Sequence, residues 1–436
     1  MTQSDRLLEL RRLRKSPLVR NIGSLYAIQL ASYALPLISF PYLLRVLGPS
    51  SFGIYVFVLA TARFGLLITD WGFNYTATRK LVTARLNGAN SSSLYSASLA
   101  GRVALLGLSA VVLGVLTLTV SRFARDADLF WIAFAGVAGS ALLPIWLFQA
   151  WEKLAVVTGA LLVARIFTTA LVFVVVQSSG DLAGALLLWS IPWVVAAAIA
   201  LILAPRLLGP RLKAVPLAAV SRELRSGSSV FITLLLSSVY TALNAIVLAF
   251  LSTDAEVGYF GAAETAIIAA TGLIGPLAQA LYPRAAGAAS TGEQEALAHV
   301  RRITPAIATV GAILSSMTLV LAPFLGGLVL GPEFDKSIGI LQIMSPLPLT
   351  IALATILSTQ LMLPLHLDRA YLLIVGTGAL LSIGLTALLV PALAAKGTAI
   401  SVTTTEVAIL AALYGFVRRR GLDPLRWRTG GRSPHP

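Results

Sequence analysis

Long apolar stretches, separated by short charged or glycine-containing segments, repeat along the whole chain. A helix needs roughly 20 mostly apolar residues to cross about 30 Å of hydrocarbon. By this criterion the sequence predicts twelve transmembrane helices. They cover residues 22–44, 52–70, 95–120, 129–150, 154–177, 182–204, 228–251, 257–281, 303–330, 338–362, 370–391 and 397–417.

The composition indicates that lipid solvates much of the surface. Of the 436 residues, 57% are apolar and only 12% are charged, whereas a soluble protein carries about a quarter of charged residues. The chain has no cysteine and three histidines, so disulfides and thiolate catalysis are excluded, and neither a metal site nor a cofactor is expected. The predicted class is an all-α polytopic membrane protein.

Lysine and arginine are distributed unevenly between the loops. One side holds most of the 33 basic residues, in the two tails and in the loops around Arg79, Lys153, residues 206–225, Arg284, Arg301 and Arg369. The other side holds Arg45, Arg122, Arg125, Lys336 and Lys396. The positive-inside rule therefore predicts a multi-pass protein of a cytoplasmic-type membrane with both termini cytoplasmic. The net charge of +15 then reflects topology and contact with anionic lipid headgroups rather than nucleic acid.

The longest basic connection follows the sixth predicted span and divides the chain into halves. A shift of 205 residues aligns Arg20 with Arg225 and Gly53 with Gly258, which favours two parallel repeats around a central cavity. The predicted organisation is a cytoplasmic N-tail (1–21), a six-helix N-lobe (22–204), an inter-lobe linker (205–227), a six-helix C-lobe (228–417) and a basic C-tail (418–436).

Few ionisable residues fall inside the predicted spans. They are Arg63, Arg102, Arg165, Glu264 and Glu406, with Asp70 near a helix end. Charges at that depth are expensive, so they should face the bundle interior or water. Arg102 is close enough to the cytoplasmic interface to extend its side chain toward it, whereas Arg63 and Arg165 are not. The arginines and acids could be structural pairs, or the two deep arginines could bind a phosphate-bearing substrate and the two glutamates a coupling ion.

Several strings carry a family resemblance. Residues 35–49 read LPLISFPYLLRVLGP, followed by FGIY at 52–55, TDWGFN at 69–74 and ATR at 77–79. The second half contains VGYFGAAE at 257–264, GPLAQALYPR at 275–284, LQIMSPLP at 341–348, QLMLP at 360–364, GTAI at 397–400 and TEV at 405–407. In this order they resemble the Wzx-type O-antigen flippases, bacterial polysaccharide flippases of the multidrug/oligosaccharidyl-lipid/polysaccharide exporter superfamily. One departure is Ala394-Ala395-Lys396, where members often have a glycine-rich segment.

The resemblance implies twelve helices in two lobes and the flipping of an undecaprenyl-pyrophosphate-linked oligosaccharide. On that basis the pyrophosphate and first sugars are expected near Arg63 and Arg165. Asp70, Asn74 and Arg79 are expected at the cytoplasmic mouth. Further expected partners are the polysaccharide polymerase and chain-length machinery.

Polar side chains on the first span provide a further candidate contact. Gln29 and Tyr33 could touch a sugar, although helix packing is the preferred explanation for them.

Two other functions stay open at this stage. A cation-coupled drug exporter of the same superfamily would need an acidic cavity, which paired central arginines disfavour. A membrane enzyme such as a glycan polymerase, ligase or acyltransferase would need a catalytic loop outside the membrane, and the predicted non-cytoplasmic loops are short. Peptidoglycan-precursor flippases are related in pattern but generally have two further spans.

Overall fold

The computed structural model describes residues 17–272 and 274–424, which form helices joined by short turns. No β-strand occurs in these ranges, and the all-α prediction is confirmed. The first eight helices are α1 (Pro17–Asp70), α2 (Phe73–Leu86), α3 (Ser92–Thr119), α4 (Ser121–Ala124), α5 (Ala127–Leu142), α6 (Ile145–Ala150), α7 (Leu154–Val175) and α8 (Leu182–Leu207). The remaining helices are α9 (Leu217–Leu251), α10 (Asp254–Thr271), α11 (Ile274–Thr291), α12 (Glu293–Leu325), α13 (Asp335–Met344), α14 (Leu347–Thr355) and α15 (Asp368–Arg419). Two π-helical segments, Gly326–Leu330 and Ile356–Met362, and a 3₁₀ turn, Pro332–Phe334, complete the second group.

Residue contacts divide the chain into two units, with the boundary between Leu235 and Leu236 inside α9. The sequence placed a linker at 205–227, but only residues 208–216 lie outside a helix there. The amphipathic start of α9 therefore replaces the second half of the expected loop. The boundaries of the two lobes stay a prediction.

Local backbone breaks separate neighbouring predicted spans. Gly48 adopts φ 67° within α1, between the spans predicted at 22–44 and 52–70. A positive φ is costly for a residue with a Cβ, and glycine allows the turn without strain. Ala394 likewise interrupts α15 with φ 47°, between the last two predicted spans. Pro144 divides the span predicted at 129–150 into α5 and α6, because the residue before proline disfavours helical geometry.

Eight described segments are long and apolar enough to cross a membrane. They are Ile38–Leu86, Ser92–Thr119, Ala127–Ala150, Leu154–Val175, Leu182–Leu207, Glu293–Phe324, Pro332–Met362 and Asp368–Arg419. The last one contains two predicted spans. The count of twelve stays a prediction.

Helix α2 is polar and was expected to be a loop. Its buried residues are Phe73, Thr76, Ala77 and Leu81. The three apolar ones pack with Trp146 and Leu147 of α6 in an apolar core of the first unit. The loop expectation was wrong because a short polar helix lacks the long apolar stretch by which spans were identified.

Helices α5 and α8 approach each other closely in the first unit. A Cβ atom at Gly139 would lie 2.6 Å from backbone atoms of Trp193 and Val194, so only glycine permits this contact. Small residues at a helix interface let two transmembrane backbones pack directly. The contact fixes the position of α8, and with it the two tryptophans that α8 carries toward the site described below.

The second unit contains a fully buried polar network. The hydroxyls of Ser382 and Thr386 on α15 donate to Asn244 Oδ1 on α9, at 3.1 and 2.9 Å. The Thr386 hydroxyl also lies 2.8 Å from Ser401 Oγ, and the Ser401 hydroxyl donates to the Ser382 carbonyl oxygen at 2.8 Å. These bonds join α9 to both halves of α15 across the break at Ala394. Buried polar groups are stable only when they are paired in this way.

Candidate functional site

A pocket of about 270 Å³ lies inside the first unit, between α1, α7 and α8. Its chemically functional lining residues are Ser39, Tyr55, Arg165, Thr168, Trp189 and Trp193, together with Thr169. Leucine, valine, alanine and proline side chains complete the wall, and none of the described lining residues is acidic. The pocket therefore combines one cation, several hydroxyls and two indoles in an apolar surround.

Arg165 is the one charged residue among the described residues that line this pocket. Its Cζ atom lies 5.4 Å from the ring centroid of Trp193, within the range of a cation–π contact. In the described parts of the chain the guanidinium forms no ion pair with a carboxylate. A guanidinium stacked in this way keeps its in-plane N–H donors for a phosphate or carboxylate, which it can bind with two parallel hydrogen bonds.

The hydroxyls around Arg165 retain hydrogen-bonding capacity. Thr168 Oγ1 donates to the backbone carbonyl of Arg165 at 3.2 Å, which leaves its oxygen free to accept. The hydroxyls of Thr169 and Tyr55 form no hydrogen bond to any group in the described chain. Both residues border the pocket, so these hydroxyls can bond to a polar ligand.

Arg63 lies on α1 but outside the lining of this pocket. Its side chain is exposed, and its guanidinium is near enough to the Tyr55 hydroxyl to act on it electrostatically. Tyr55 thus lines the same pocket as Arg165 and interacts electrostatically with Arg63. The structure does not bring Arg63 and Arg165 into direct contact.

Arg102 is the third arginine within the predicted spans, and its environment differs. Its side chain is 2% exposed and donates to the backbone carbonyls of Ser140 at 3.0 Å and Leu143 at 3.5 Å. Its Cζ atom lies 4.7 Å from the ring centroid of Trp146. The expectation that Arg102 extends toward the interface was wrong, because α5 and α6 enclose it and supply its acceptors.

Asp70 and Asn74 lie beside Arg102. The Asn74 amide donates to Asp70 Oδ1, and the Asp70 carboxylate interacts electrostatically with the Arg102 guanidinium. Asn74 Oδ1 and Arg102 Nε are buried without a hydrogen-bond partner. The structure thus joins two of the three predicted mouth residues into one cluster, with Arg102 as its cation.

Arg79, the third predicted mouth residue, is exposed on α2. Its neighbour Lys80 forms an ion pair with Glu223 of α9 at 2.9 Å and a further bond to Ser226 at 2.8 Å. Lys80 therefore ties α2 to α9, whereas the described contacts give Arg79 no such role.

The two candidate coupling acids both lie in the second unit. Glu264 is half-buried on α10 and Glu406 is 7% exposed on α15. Both make interactions with other parts of the protein, and Glu406 acts electrostatically on Tyr371. Their proposed role with a coupling ion stays a prediction.

Two further predictions concern the polar residues of the first predicted span and metal binding. The side chains of Gln29 and Tyr33 lie outside those that the structure describes. Among the described residues, no group of three or more histidine, aspartate or glutamate side chains is placed to hold a metal ion.

Sequence reasoning missed Tyr55, Trp189 and Trp193. The tryptophans did carry a usable signal, since they are four residues apart in a predicted span and so share one helix face. The spacing of the two tryptophans alone does not show which residues of other helices contact this face. Only the packing of α7 against α8 places Arg165 opposite it.

Solved structures with a similar fold are membrane transporters. The "Lipid II flippase MurJ, inward closed conformation" superposes with a TM-score of 0.72 at 13% identity, covering 92% of this chain and 87% of that chain. An inward-facing multidrug resistance MATE family transporter of the MOP superfamily gives a TM-score of 0.67 at 14% identity, covering 89% of this chain and 95% of that chain. At these identities the likeness concerns the fold, and it confirms the prediction of a two-lobed helical fold.

Sequence comparison gives closer relatives. The family profile described as "Polysaccharide biosynthesis protein" matches residues 18–289. A "Putative O-antigen transporter" of Escherichia coli (strain K12) is 31% identical over 408 residues, covering 94% of this chain and 98% of the relative. A protein of the same description from Shigella dysenteriae is 30% identical over 391 residues, covering 90% and 98%.

Proposed function

Because this chain belongs to the polysaccharide biosynthesis protein family, we propose that it is a flippase for a lipid-linked glycan, a transporter and not an enzyme. The finer proposal concerns the substrate, an undecaprenyl-pyrophosphate-linked oligosaccharide that forms an O-antigen or exopolysaccharide repeat unit. It would cross the inner membrane by alternating access, with both termini of the protein in the cytoplasm. The polymerase and chain-length machinery would receive the unit on the far side.

The Arg165 pocket is the observation that carries this proposal. A glycan with its pyrophosphate cannot cross hydrocarbon unaided, because each unpaired polar group costs several kcal/mol there. Arg165 provides a cation that pairs with no carboxylate of the described chain, beside the hydroxyls of Tyr55 and Thr169, which form no hydrogen bond to described residues. These are the groups that a phosphate and sugar hydroxyls require.

The polyprenyl tail has different needs from the headgroup. It is fully apolar, so it is stable in the lipid beside the protein and requires no polar site. In our proposal Arg165 and Arg63 hold the pyrophosphate while the tail stays in the bilayer, and Asp70, Asn74 and Arg79 act at the cytoplasmic mouth. Glu264 and Glu406 are candidates to bind a coupling ion.

A drug exporter is the main alternative, since a multidrug transporter shares the fold. Exporters of cationic drugs need an acidic binding site. The pocket has a cation and no acidic lining residue, so it favours an anionic substrate.

The proposal is tested by deleting the gene in its host and measuring surface polysaccharide together with lipid-linked intermediates. We expect loss of the surface glycan and accumulation of pyrophosphate-linked units on the cytoplasmic side. Wild-type protein should restore the glycan, whereas Arg63→Ala and Arg165→Ala should insert into the membrane without restoring it. Arg125→Ala is the matched control, because Arg125 pairs with Asp126 at 2.7 Å outside the pocket.

Two other outcomes would contradict the proposal. Normal glycan with altered drug sensitivity would identify an exporter. Complete units that reach the periplasm but fail to polymerise would identify an enzyme.

A further inference from the structure

The size of the Arg165 pocket limits what it can enclose. Sites for drug-sized ligands usually have volumes of roughly 300–1,000 Å³, and this pocket has about 270 Å³. A whole oligosaccharide unit does not fit into that space. One sugar ring with its attached phosphate is a ligand of the right size.

The two indoles, Trp189 and Trp193, make the two ends of the pocket chemically different. Trp189 and Trp193 are four residues apart on α8 and therefore lie on one face, roughly 6 Å apart along the axis. The Trp193 ring is covered by the Arg165 guanidinium. Trp189 is half-buried, with one ring edge packed against Gly136 of α5. The cation therefore lies at one end of the indole pair, and Trp189 forms the wall at the other end.

The hydroxyls lie on the same stretch of the pocket as Trp189. Thr168 and Thr169 follow Arg165 on α7, which runs antiparallel to α8, and α7 and α8 are packed side by side. Arg165 on α7 therefore lies level with Trp193 on α8, and Thr168 and Thr169 lie level with Trp189. The groups beyond the cation are thus an aromatic surface together with Thr169 Oγ1, which has no bond to the described protein.

This arrangement matches the chemistry of a pyranose. A sugar ring has a C–H-rich face that packs on an aromatic ring, and a rim of hydroxyls that need hydrogen-bond partners. Its anomeric phosphate is an anion at one end of the ring. A lipid headgroup or free phosphate would use Arg165 but would leave Trp189 and Thr169 without a role.

We infer that the pocket is a subsite for the single sugar attached to the pyrophosphate, with Trp189 as its stacking surface and Thr169 as a hydrogen-bonding residue. This inference rests on the proposed function. The phosphate binds Arg165, the first sugar packs against Trp189, and the more distal sugars lie outside the pocket.

The experiment measures binding to the full-length purified protein in lipid nanodiscs by isothermal titration calorimetry. The probes are farnesyl pyrophosphate and a panel of the same lipid carrying one sugar: glucose, galactose, N-acetylglucosamine or N-acetylgalactosamine. We expect at least one sugar to raise the affinity about tenfold over farnesyl pyrophosphate, as expected for one aromatic stacking contact with a hydrogen bond.

Two variants test the subsite and two serve as controls. Trp189→Leu and Thr169→Val should each remove most of the gain from the sugar, and each should lower the affinity for farnesyl pyrophosphate by a much smaller factor than the affinity for the sugar-bearing lipid. Trp131→Leu is the matched tryptophan control, since Trp131 is 41% exposed on α5. Thr158→Val is the matched threonine control on α7, since the Thr158 hydroxyl bonds to the Leu154 carbonyl at 3.0 Å.

The outcomes separate this inference from the proposed function. If no sugar improves binding, or if Thr169→Val and a folded Trp189→Leu keep the full gain, the sugar subsite is overturned while the flippase can stand. If farnesyl pyrophosphate does not bind and the deletion strain keeps its glycan, the proposed function fails, and the inference fails with it. Thr169→Val removes only a hydroxyl, so it remains informative if Trp189→Leu does not fold.

Discussion

Arg102 and Arg165 are two arginines of the same unit, each roughly three helical turns from the start of its helix, yet their surroundings are opposite. Arg102 is enclosed, bonded to two backbone carbonyls and paired electrostatically with Asp70. Arg165 lies beside a pocket, covers an indole and has no ion pair within the described chain.

The comparison shows that depth in the membrane does not by itself identify a functional charge. A buried cation that has hydrogen-bond acceptors within the protein stabilises the fold. Its removal leaves those acceptors buried without a donor, which lowers the free energy of unfolding. A cation whose acceptors are missing from the protein is suited to a ligand. The predictions below would break or sharpen this distinction, beginning with the largest expected effect.

Replacing Arg102 should destabilise the first unit. In Arg102→Leu two carbonyls lose their donor and Asp70 loses the electrostatic interaction with Arg102, so we expect a loss of about 3 kcal/mol in the free energy of unfolding. The measurement is unfolding of the purified protein in detergent, with the double variant Asp70→Asn/Arg102→Leu expected to recover part of the loss. Equal destabilisation by Arg165→Leu would refute the distinction between the two arginines.

A conservative replacement at the pocket should affect transport and leave folding intact. Lysine keeps the charge in Arg165→Lys but lacks the planar fork that binds a phosphate with two bonds and stacks on Trp193. We expect glycan export to fall about tenfold, equivalent to about 1.4 kcal/mol, with unchanged unfolding. Export is measured in the complemented deletion strain against Arg125→Lys, and full export would show that only the charge matters.

The ion pair between α2 and α9 should contribute less than the enclosed arginine. Lys80 and Glu223 are 33% and 9% exposed at their side chains, so the pair is only partly shielded from water. We expect Lys80→Glu to lower the free energy of unfolding by about 1 kcal/mol, and the swap Lys80→Glu/Glu223→Lys to restore most of it. Failure of the swap would point to the Ser226 contact instead.

The turn between α7 and α8 should show the smallest effect. The backbone N–H of Gln177 and the hydroxyl and N–H of Ser178 donate to Asp181 and hold its pKa below the ordinary value. The stabilisation is therefore present above the ordinary aspartate pKa and is lost as pH falls through the lowered one. The melting temperature of the wild type should exceed that of Asp181→Asn slightly at pH 7, and the difference should vanish near pH 2. A constant difference would exclude titration of Asp181 as its cause.

Much of the fold could be predicted because long apolar stretches and family strings are local properties. The helical class and the relation to polysaccharide transporters are confirmed. Arg165 could be recognised as a candidate by its depth alone. The difference between Arg165 and Arg102 could not be predicted from the sequence. The carbonyls that accept hydrogen bonds from Arg102 come from α5 and α6, and the indole beside Arg165 comes from α8. Such pairings depend on tertiary packing, which a single sequence does not display.

The glycine contact between α5 and α8 has a consequence for how substrate preference can evolve. Gly139 meets backbone atoms of α8, so a main-chain contact sets the position of α8 beside the pocket, and side chains complete the lining. Substitutions at Thr169 or Trp189 can therefore change which ligand is preferred while the surrounding architecture stays the same. Relatives that share this frame can diverge in specificity through a few lining positions, with the glycine as the position least open to change.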